Sequence, residues 1–229
     1  MTPLSIVMPA LDEAPRIGHS LALLAPLRAR GCEVIVVDGG SGDGTVSLAA
    51  PLADRVLAAP RGRASQMNAG AAVARGEVLL FLHADSALPA DADRLIAEGL
   101  AASARAWGRF DARLSGPQPL LRVVERAMNL RSRATGICTG DQAMFVRREA
   151  FRRAGGFPPV ALMEDIAMSR ALKRISPPLC LAAPVLSSSR RWERNGVLAT
   201  VLAMWRLRLM YFLGADPSRL AQAYEKRRA

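Results

Sequence analysis

From Leu4 to Leu82, short unbroken apolar runs alternate with stretches in which apolar residues recur every three or four positions. The runs Leu4–Met8, Glu33–Val37, Arg55–Ala58 and Val78–Leu82 read as strands. The last, VLLFL, is apolar at every position and so predicts a strand covered by helices on both faces. Between them Arg16–Arg30, Thr45–Pro51 and Ala64–Arg75 read as helices. This alternation predicts an α/β fold: a mostly parallel central sheet with right-handed crossovers, flanked by helices.

Beyond Asp85 the rhythm changes. Asp91–Ala104 reads as a helix, Ala106–Leu114 as an irregular strand, and the turn cluster Gly116–Pro119 leads into a helix over Leu120–Ala134. Phe145–Arg147 reads as a strand and Arg148–Ala154 as a short helix. GGFPP, from Gly155 to Pro159, breaks the chain before a helix over Glu164–Arg174 and a strand over Leu179–Leu186. No repeat or low-complexity linker divides the sequence. One domain is expected, with halves at 1–85 and 86–192 and a helical segment at 193–229.

That last segment contains VLATVLAMWRLRLMYFL, Val197–Leu213. It is short for a membrane span and holds Arg206 and Arg208, which argues against crossing a bilayer. It reads either as a buried or oligomer-forming helix, or as one lying on a membrane surface with Trp205 and Tyr211 at headgroup level.

Composition narrows the picture. Aromatics are only 5% of the chain, against 51% hydrophobic residues, which favours helices over an aromatic-rich β sandwich. The net charge of +11 comes almost wholly from arginine, lysine occurring only at Lys173 and Lys226. Its sign points to acidic partners: a nucleotide, a phospholipid surface or nucleic acid. The arginines are dispersed and the aromatics too few for a stacking groove, so nucleic acid is not the expected partner. Cys32, Cys138 and Cys180 are scattered and odd in number, as reduced thiols are, rather than a disulfide frame or zinc site. With strand-like Leu4–Met8 at the start and no basic-then-apolar leader, a cytoplasmic location is expected.

Four local signals carry candidate chemistry. In SIVMPALDEAPRI a strand ends at Pro9 and the acidic pair Asp12-Glu13 precedes a helix, either as a cap or as a ligand. In VIVVDGGSGDGT a buried strand ends at Asp38 and opens into a glycine-rich loop. The spacing is neither a dinucleotide fingerprint nor a P-loop, yet the aspartate could accept from a base or ribose. In RGRASQMNAG, Arg61 and Arg63 precede a helix whose free N–H groups favour an anion such as a diphosphate, while Asn68 and Gly70 lie where close packing is equally possible. His83 and Asp85 then emerge at the carboxyl edge of a strand, where open α/β sheets bind ligands. The fourth signal joins Gly140-Asp141-Gln142 to Glu164-Asp165, an acidic pair that either caps a helix or supplies a general base.

In this order SIVMPALDE, VDGGSGDGT, QMNAGAAVARGEVLLFLHAD and MEDIAMSRAL resemble the family 2 glycosyltransferases, which have the GT-A fold. The likeness runs from Ser5 to roughly Trp192, and SSSRRW resembles the family's QxxRW element. The resemblance implies a GT-A-like sheet with C-terminal helices and a nucleotide-binding first half. It implies a nucleotide-diphosphate sugar as donor, a hydroxyl acceptor, and inversion at the anomeric carbon. Pro9, Glu13 and Asp38 would line the nucleotide pocket, with Arg61 and Asn68 among the donor-binding positions. Asp165 would be the catalytic base, and Arg191 and Trp192 would close over the donor. Asp85, with His83, would hold a divalent metal, Mn²⁺ or Mg²⁺.

Four positions depart from the family pattern. Asp12 stands for asparagine, Gly39 for a second aspartate, His83 for the first acid of DxD, and Ser188 for the glutamine of QxxRW. Imidazole is a poor partner for Mg²⁺ but acceptable to Mn²⁺; His83 could equally donate to phosphate or simply pack. Ser188 and the lack of multiple spans argue against a processive polymer synthase. The charge and the Val197–Leu213 helix together predict a lipid-linked acceptor and peripheral contact with the inner face of the cell membrane. Two other readings stand beside this one. A nucleotidyltransferase on a sugar phosphate would normally place a glycine-rich basic loop after the first strand, where this chain has PALDEAPRI. A non-catalytic nucleotide-sugar-binding or membrane-scaffold module fits Gly39 and His83, but not the joint presence of Asp38, Asp85 and Glu164-Asp165.

Overall fold

Strands β1 (Leu4–Ala10) and β2 (Glu33–Asp38) are buried at every position, as unbroken apolar runs require when helices cover both faces of a sheet. The computed structural model describes residues 3–225. Between these strands lie α1 (Ala14–Ala22) and α2 (Ala25–Ala29). The single helix expected over Arg16–Arg30 is split because Pro26 lacks an N–H and its ring crowds the preceding turn. The first half continues through α3 (Thr45–Ala49), β3 (Arg55–Ala58), α4 (Arg63–Val73) and β4 (Val78–Phe81). The second half contains β5 (Ser86–Ala87), α5 (Ala92–Ala101), β6 (Trp107–Leu114), α6 (Pro119–Thr135), a 3-10 turn (Gly140–Gln142), β7 (Phe145–Arg147), α7 (Arg148–Arg153), α8 (Glu164–Lys173) and β8 (Leu179–Ser187). Helices α9 (Arg190–Asn195), α10 (Val197–Phe212) and α11 (Pro217–Glu225) complete the described chain. β5 and α9 are too short to be predicted from the sequence, while α11 falls within the helical segment expected over 193–229.

The strands form one sheet in the order β3-β2-β1-β4-β7-β6-β8-β5. β1 pairs in parallel with β2 and β4, and β2 with β3. β7 runs antiparallel to both β4 and β6, while β6 and β8 are parallel. A register shift between Phe110 and Asp111 bends β6, which accounts for its irregular apolar pattern. Alternate residues feed the two faces: Ile6, Val34 and Leu80 enter one core, and Val7, Val37 and Leu79 the other. Helix α4 lies so close to the sheet that a Cβ on Gly70 would sit 2.4 Å from Val7 Cγ1.

Two features of this scaffold set up the cleft. First, the loops after β1 and β2 are tied together. Asp12 N donates to Ser41 Oγ at 2.9 Å, Glu13 N to Thr45 Oγ1 at 2.8 Å, and Ala14 N to Asp43 Oδ2 at 3.0 Å. Second, α10 packs on α6 and α11 through an inner face that buries Val197, Thr200 and Leu207. Leu198, Leu202, Trp205 and Leu209 face outward. The helix is therefore half-buried, and among the described residues no helix is long and apolar enough to cross a membrane.

Candidate active site

The carboxyl ends of β1 and β4, the 3-10 turn, and the starts of α8 and α9 converge on a cleft of about 1420 Å³, walled on one side by α6 and α10. Sheet geometry puts it there: parallel strands present their carboxyl ends, with the loops that follow, on one edge. The cleft is lined by Glu13, Arg61, His83, Asp85, Asp165, Arg191 and Trp192 among the residues picked out by sequence. Pro9, Asp38 and Asn68 are not among its lining residues. Asp38 is buried and folds back on its own loop, accepting from Gly40 N at 2.9 Å and from Ser41 N at 3.0 Å. Asn68 pairs with the backbone of Phe157 in both directions, at 2.8 and 2.9 Å, and so latches α4 to the segment before α8.

His83 and Asp85 occupy a short turn held through Leu82, His83, Ala84 and Ser86. Leu82 N donates to Val7 O at 3.0 Å, Ser20 Oγ to Ala84 O at 2.5 Å, and Ser86 N to His83 O at 3.1 Å. Ser86 then pairs with Ser187 of β8, their hydroxyls 3.0 Å apart. The His83 ring lies against Gly140, where an added Cβ would come within 2.2 Å of Cε1. Burial, reinforced by the Arg63 charge, holds its imidazole below the ordinary histidine value; Asp141, Asp85 and Asp165 pull the other way. At neutral pH the ring is uncharged, with a lone pair available to a metal or a proton to offer phosphate.

The acidic pair at the start of α8 divides its work. Glu164 is buried against Arg63, Oε1 lying 2.7 Å from Nε. Burial pushes its carboxyl upward, Asp165 adds to that, and Arg63 opposes it. Asp165 instead faces the cleft. Its Oδ2 accepts from Gly140 N at 3.0 Å and its Oδ1 from Ile166 N at 2.7 Å. Two backbone donors, one from the 3-10 turn and one from the first turn of α8, fix the carboxylate's direction. Neither takes up all the lone pairs of an oxygen, so the group can still accept a proton from a bound hydroxyl.

The side chains that would hold a divalent ion are one carboxylate, Asp85, and one neutral imidazole, His83, both lining the cleft. Among the described residues no three His, Cys, Asp or Glu side chains cluster to hold an ion by themselves. Such a pair fits an ion that completes its shell with substrate phosphates and water, and the imidazole favours Mn²⁺ over Mg²⁺.

Arg131 and Arg208 are among the cleft residues that escaped the sequence reading. Arg131 on α6 and Arg208 on α10 both line the inner wall. α6 carries several other arginines, and which of them turns inward depends on how the helix is seated. Arg208 gave a weaker clue, being a charge inside an apolar run.

The family model of glycosyl transferase family 2 matches residues 5–155. No curated protein sequence is significantly similar to the chain. Among solved structures it is similar to TarS 1-349 of S. aureus in complex with UDP-GlcNAc, with a TM-score of 0.68, 17% identity, and coverage of 81% of this chain and 58% of that one. It is also similar to the mannosyltransferase PcManGT of Pyrobaculum calidifontis in complex with GDP-Man and Mn²⁺, with a TM-score of 0.63, 21% identity, and coverage of 99% and 70%. A third is glucosyl-3-phosphoglycerate synthase of Mycobacterium tuberculosis with Mn²⁺, UDP and glucosyl-3-phosphoglycerate, at a TM-score of 0.60, 19% identity, and coverage of 88% and 78%. The chain spans only 58–65% of the length of the TarS 1-349 structures. At such identities the likeness is one of fold, the GT-A arrangement of sheet and helices.

Proposed function

Since the chain belongs to glycosyl transferase family 2, matching its model over residues 5–155, we propose that it moves a single sugar from a nucleotide-diphosphate donor to a hydroxyl acceptor with inversion at the anomeric carbon. The observation that carries this reading is the placement of Asp165. Its carboxylate is steered by Gly140 and Ile166 into the cleft that also holds Asp85, His83 and Arg61.

In the step so derived, Asp165 takes the proton from the acceptor hydroxyl as its oxygen bonds to the anomeric carbon. The bond from that carbon to the diphosphate oxygen breaks on the opposite face, and the nucleoside diphosphate leaves with the electron pair. Arg61, Arg63 and Arg191 line the route by which negative charge grows on the leaving group, where fixed cations are worth most. Glu164 tethers Arg63 there. Asp85 and His83 would hold a Mn²⁺ ion, which supplies further neutralisation of the leaving diphosphate when bound.

The finer reading of the acceptor is a lipid-linked one, presented at a membrane surface. It is supported by the apolar walls of α6 and α10 and by the outward Leu198, Leu202, Trp205 and Leu209.

Product analysis tests the transfer. Nucleotide sugars incubated with the protein and lipid hydroxyl acceptors are expected to release a nucleoside diphosphate; pyrophosphate released in a parallel incubation with nucleoside triphosphates and sugar phosphates would mark nucleotidyl transfer instead. Asp165→Asn is expected to lower turnover by about 10²–10⁴-fold while donor affinity changes by less than about threefold. A collapse of donor affinity with turnover intact would make Asp165 a donor-binding residue.

A further inference from the structure

Arg131 is the cleft residue whose environment is least satisfied. Its Nε and Nη2 are buried and, among the described residues, have no hydrogen-bond partner. A guanidinium taken out of water normally finds a carboxylate or several carbonyls, because an unpaired buried charge is strongly unfavourable. Here the strongest charged influence on it is a second cation, with Asp165 acting in the opposite sense. Burial first and Arg208 next push the Arg131 guanidinium down to about 10, so it remains charged at neutral pH. Arg208, reaching in from α10, is likewise lowered by burial, with Asp165 and Asp141 the anionic groups that oppose this. Two desolvated guanidinium groups beside one another make a ready receptor for a doubly charged anion, and their planar forks match phosphate oxygens.

The pair stands on different elements from the residues proposed to face the leaving diphosphate. Asp85, His83 and Arg61 come from the carboxyl edge of the parallel strands, whereas Arg131 and Arg208 come from the helices α6 and α10. The same two helices wall the cleft with Val123, Val124 and Met128 from one and Val201, Met204 and Leu207 from the other. The lining therefore changes from apolar to cationic beside the carboxylate that would receive the proton.

We propose that Arg131 and Arg208 form the acceptor's anion receptor, gripping a phosphate close to the reacting hydroxyl while an apolar tail lies between α6 and α10. The acceptor class this selects is an amphiphilic phosphate. The inference rests on reading the cleft as a site of glycosyl transfer, and it adds the charge of the acceptor and the residues that sense it.

Calorimetric titration of the whole chain with hexyl phosphate, inorganic phosphate and hexanol tests it, with UDP and GDP titrated in parallel. Hexyl phosphate is expected to bind at least about tenfold tighter than inorganic phosphate, because the tail adds apolar burial, and hexanol not measurably. Arg131→Met and Arg208→Met are each expected to weaken hexyl phosphate by about 10–100-fold, the usual worth of a charged hydrogen bond. UDP and GDP affinities should move by less than about threefold, and the melting temperature of Arg131→Met should equal or exceed that of the parent, since a charge lacking a partner is removed. Unchanged hexyl phosphate binding in both variants would overturn the proposal. So would an equal loss of nucleoside diphosphate binding, which would assign the arginines to the donor. Inorganic phosphate binding as tightly as hexyl phosphate would overturn the amphiphilic class and leave a free-phosphate site. Absence of any nucleoside diphosphate binding to the parent would undo the glycosyl-transfer reading, while the hexyl phosphate titrations would still decide what the arginines hold.

Discussion

Asp12, with φ at 51°, occupies the left-handed region that asparagine and aspartate enter most readily among residues with a side chain. Its Oδ1 accepts from Gly42 N at 2.9 Å, so either residue could close this loop, and the departure from the family's asparagine is conservative in conformation. Gly39 has a different cause: a Cβ there would lie 3.1 Å from the buried Gln66 amide, which bonds Ala10 O and Val37 O at 2.8 Å each. The space for a second aspartate is taken by Gln66. Gly140 joins the two halves of the proposed chemistry, its Cα face against His83 and its N–H on Asp165. Gly140→Ala is expected to displace the imidazole and tilt the carboxylate, lowering kcat by about 10–100-fold, since displacements near 1 Å cost this much in oriented sites. Steady-state rates alongside melting temperatures check it, and a fully folded variant with unaltered kcat would show that neither group needs its present place. The sequence made Glu13, His83, Asp85, Asp165, Arg191 and Trp192 legible because each sits at a fixed offset from a strand end, a helix start or a short motif. Gln66, Arg131 and Arg208 were not legible, because their meaning depends on which way a helix turns once packed.

Strands and helices of the first half followed from apolar runs, whereas the second half depended on contacts remote in sequence. β5 exists because Ser86 and Ala87 meet β8, and that pairing, invisible in a two-residue segment, fixes the turn bearing Asp85. The long helix expected after β1 overlooked Pro26. At the other edge of the parallel strands, the buried Glu33 ties three elements together. It accepts from Ser5 Oγ at 2.6 Å and from Arg75 N and Nε at 2.8 and 3.0 Å. Burial alone would raise its carboxyl, but the bonds from Ser5 and Arg75 outweigh it and hold it below the ordinary value. A carboxyl lowered in the folded state adds stability that is fully present above the unfolded value and is lost as pH falls toward the folded one. Glu33→Gln is therefore expected to cost about 1–3 kcal/mol at neutral pH and to narrow its deficit to the parent as pH drops below about 4.5. Denaturant melts from neutral pH to about pH 3 measure this, and a deficit that stayed constant with pH would remove Glu33 from the acid limb.

The whole molecule combines a net charge of +11 with an apolar stripe on the outer face of α10. Trp205 on that stripe is 66% exposed, too much for a large aromatic in a settled core. On the reading of a membrane-presented acceptor, the chain should co-sediment with vesicles containing phosphatidylglycerol, and Leu202→Glu with Trp205→Glu should weaken this by at least about tenfold. Equal sedimentation of parent and double variant, or none at low salt, would detach the acceptor reading from a bilayer. The sheet, its cleft and the arginine-lined wall all serve a proposal that comes before any acceptor: the carboxyl edge of β1 and β4 receives a nucleoside diphosphate. Calorimetric titration with UDP and GDP, with and without Mn²⁺, in the parent and in Asp85→Ala, addresses that proposal. One of the two nucleotides should bind, more tightly with Mn²⁺, and Asp85→Ala should abolish the gain from the ion. Failure of both to bind at millimolar concentrations, with or without Mn²⁺, would contradict it.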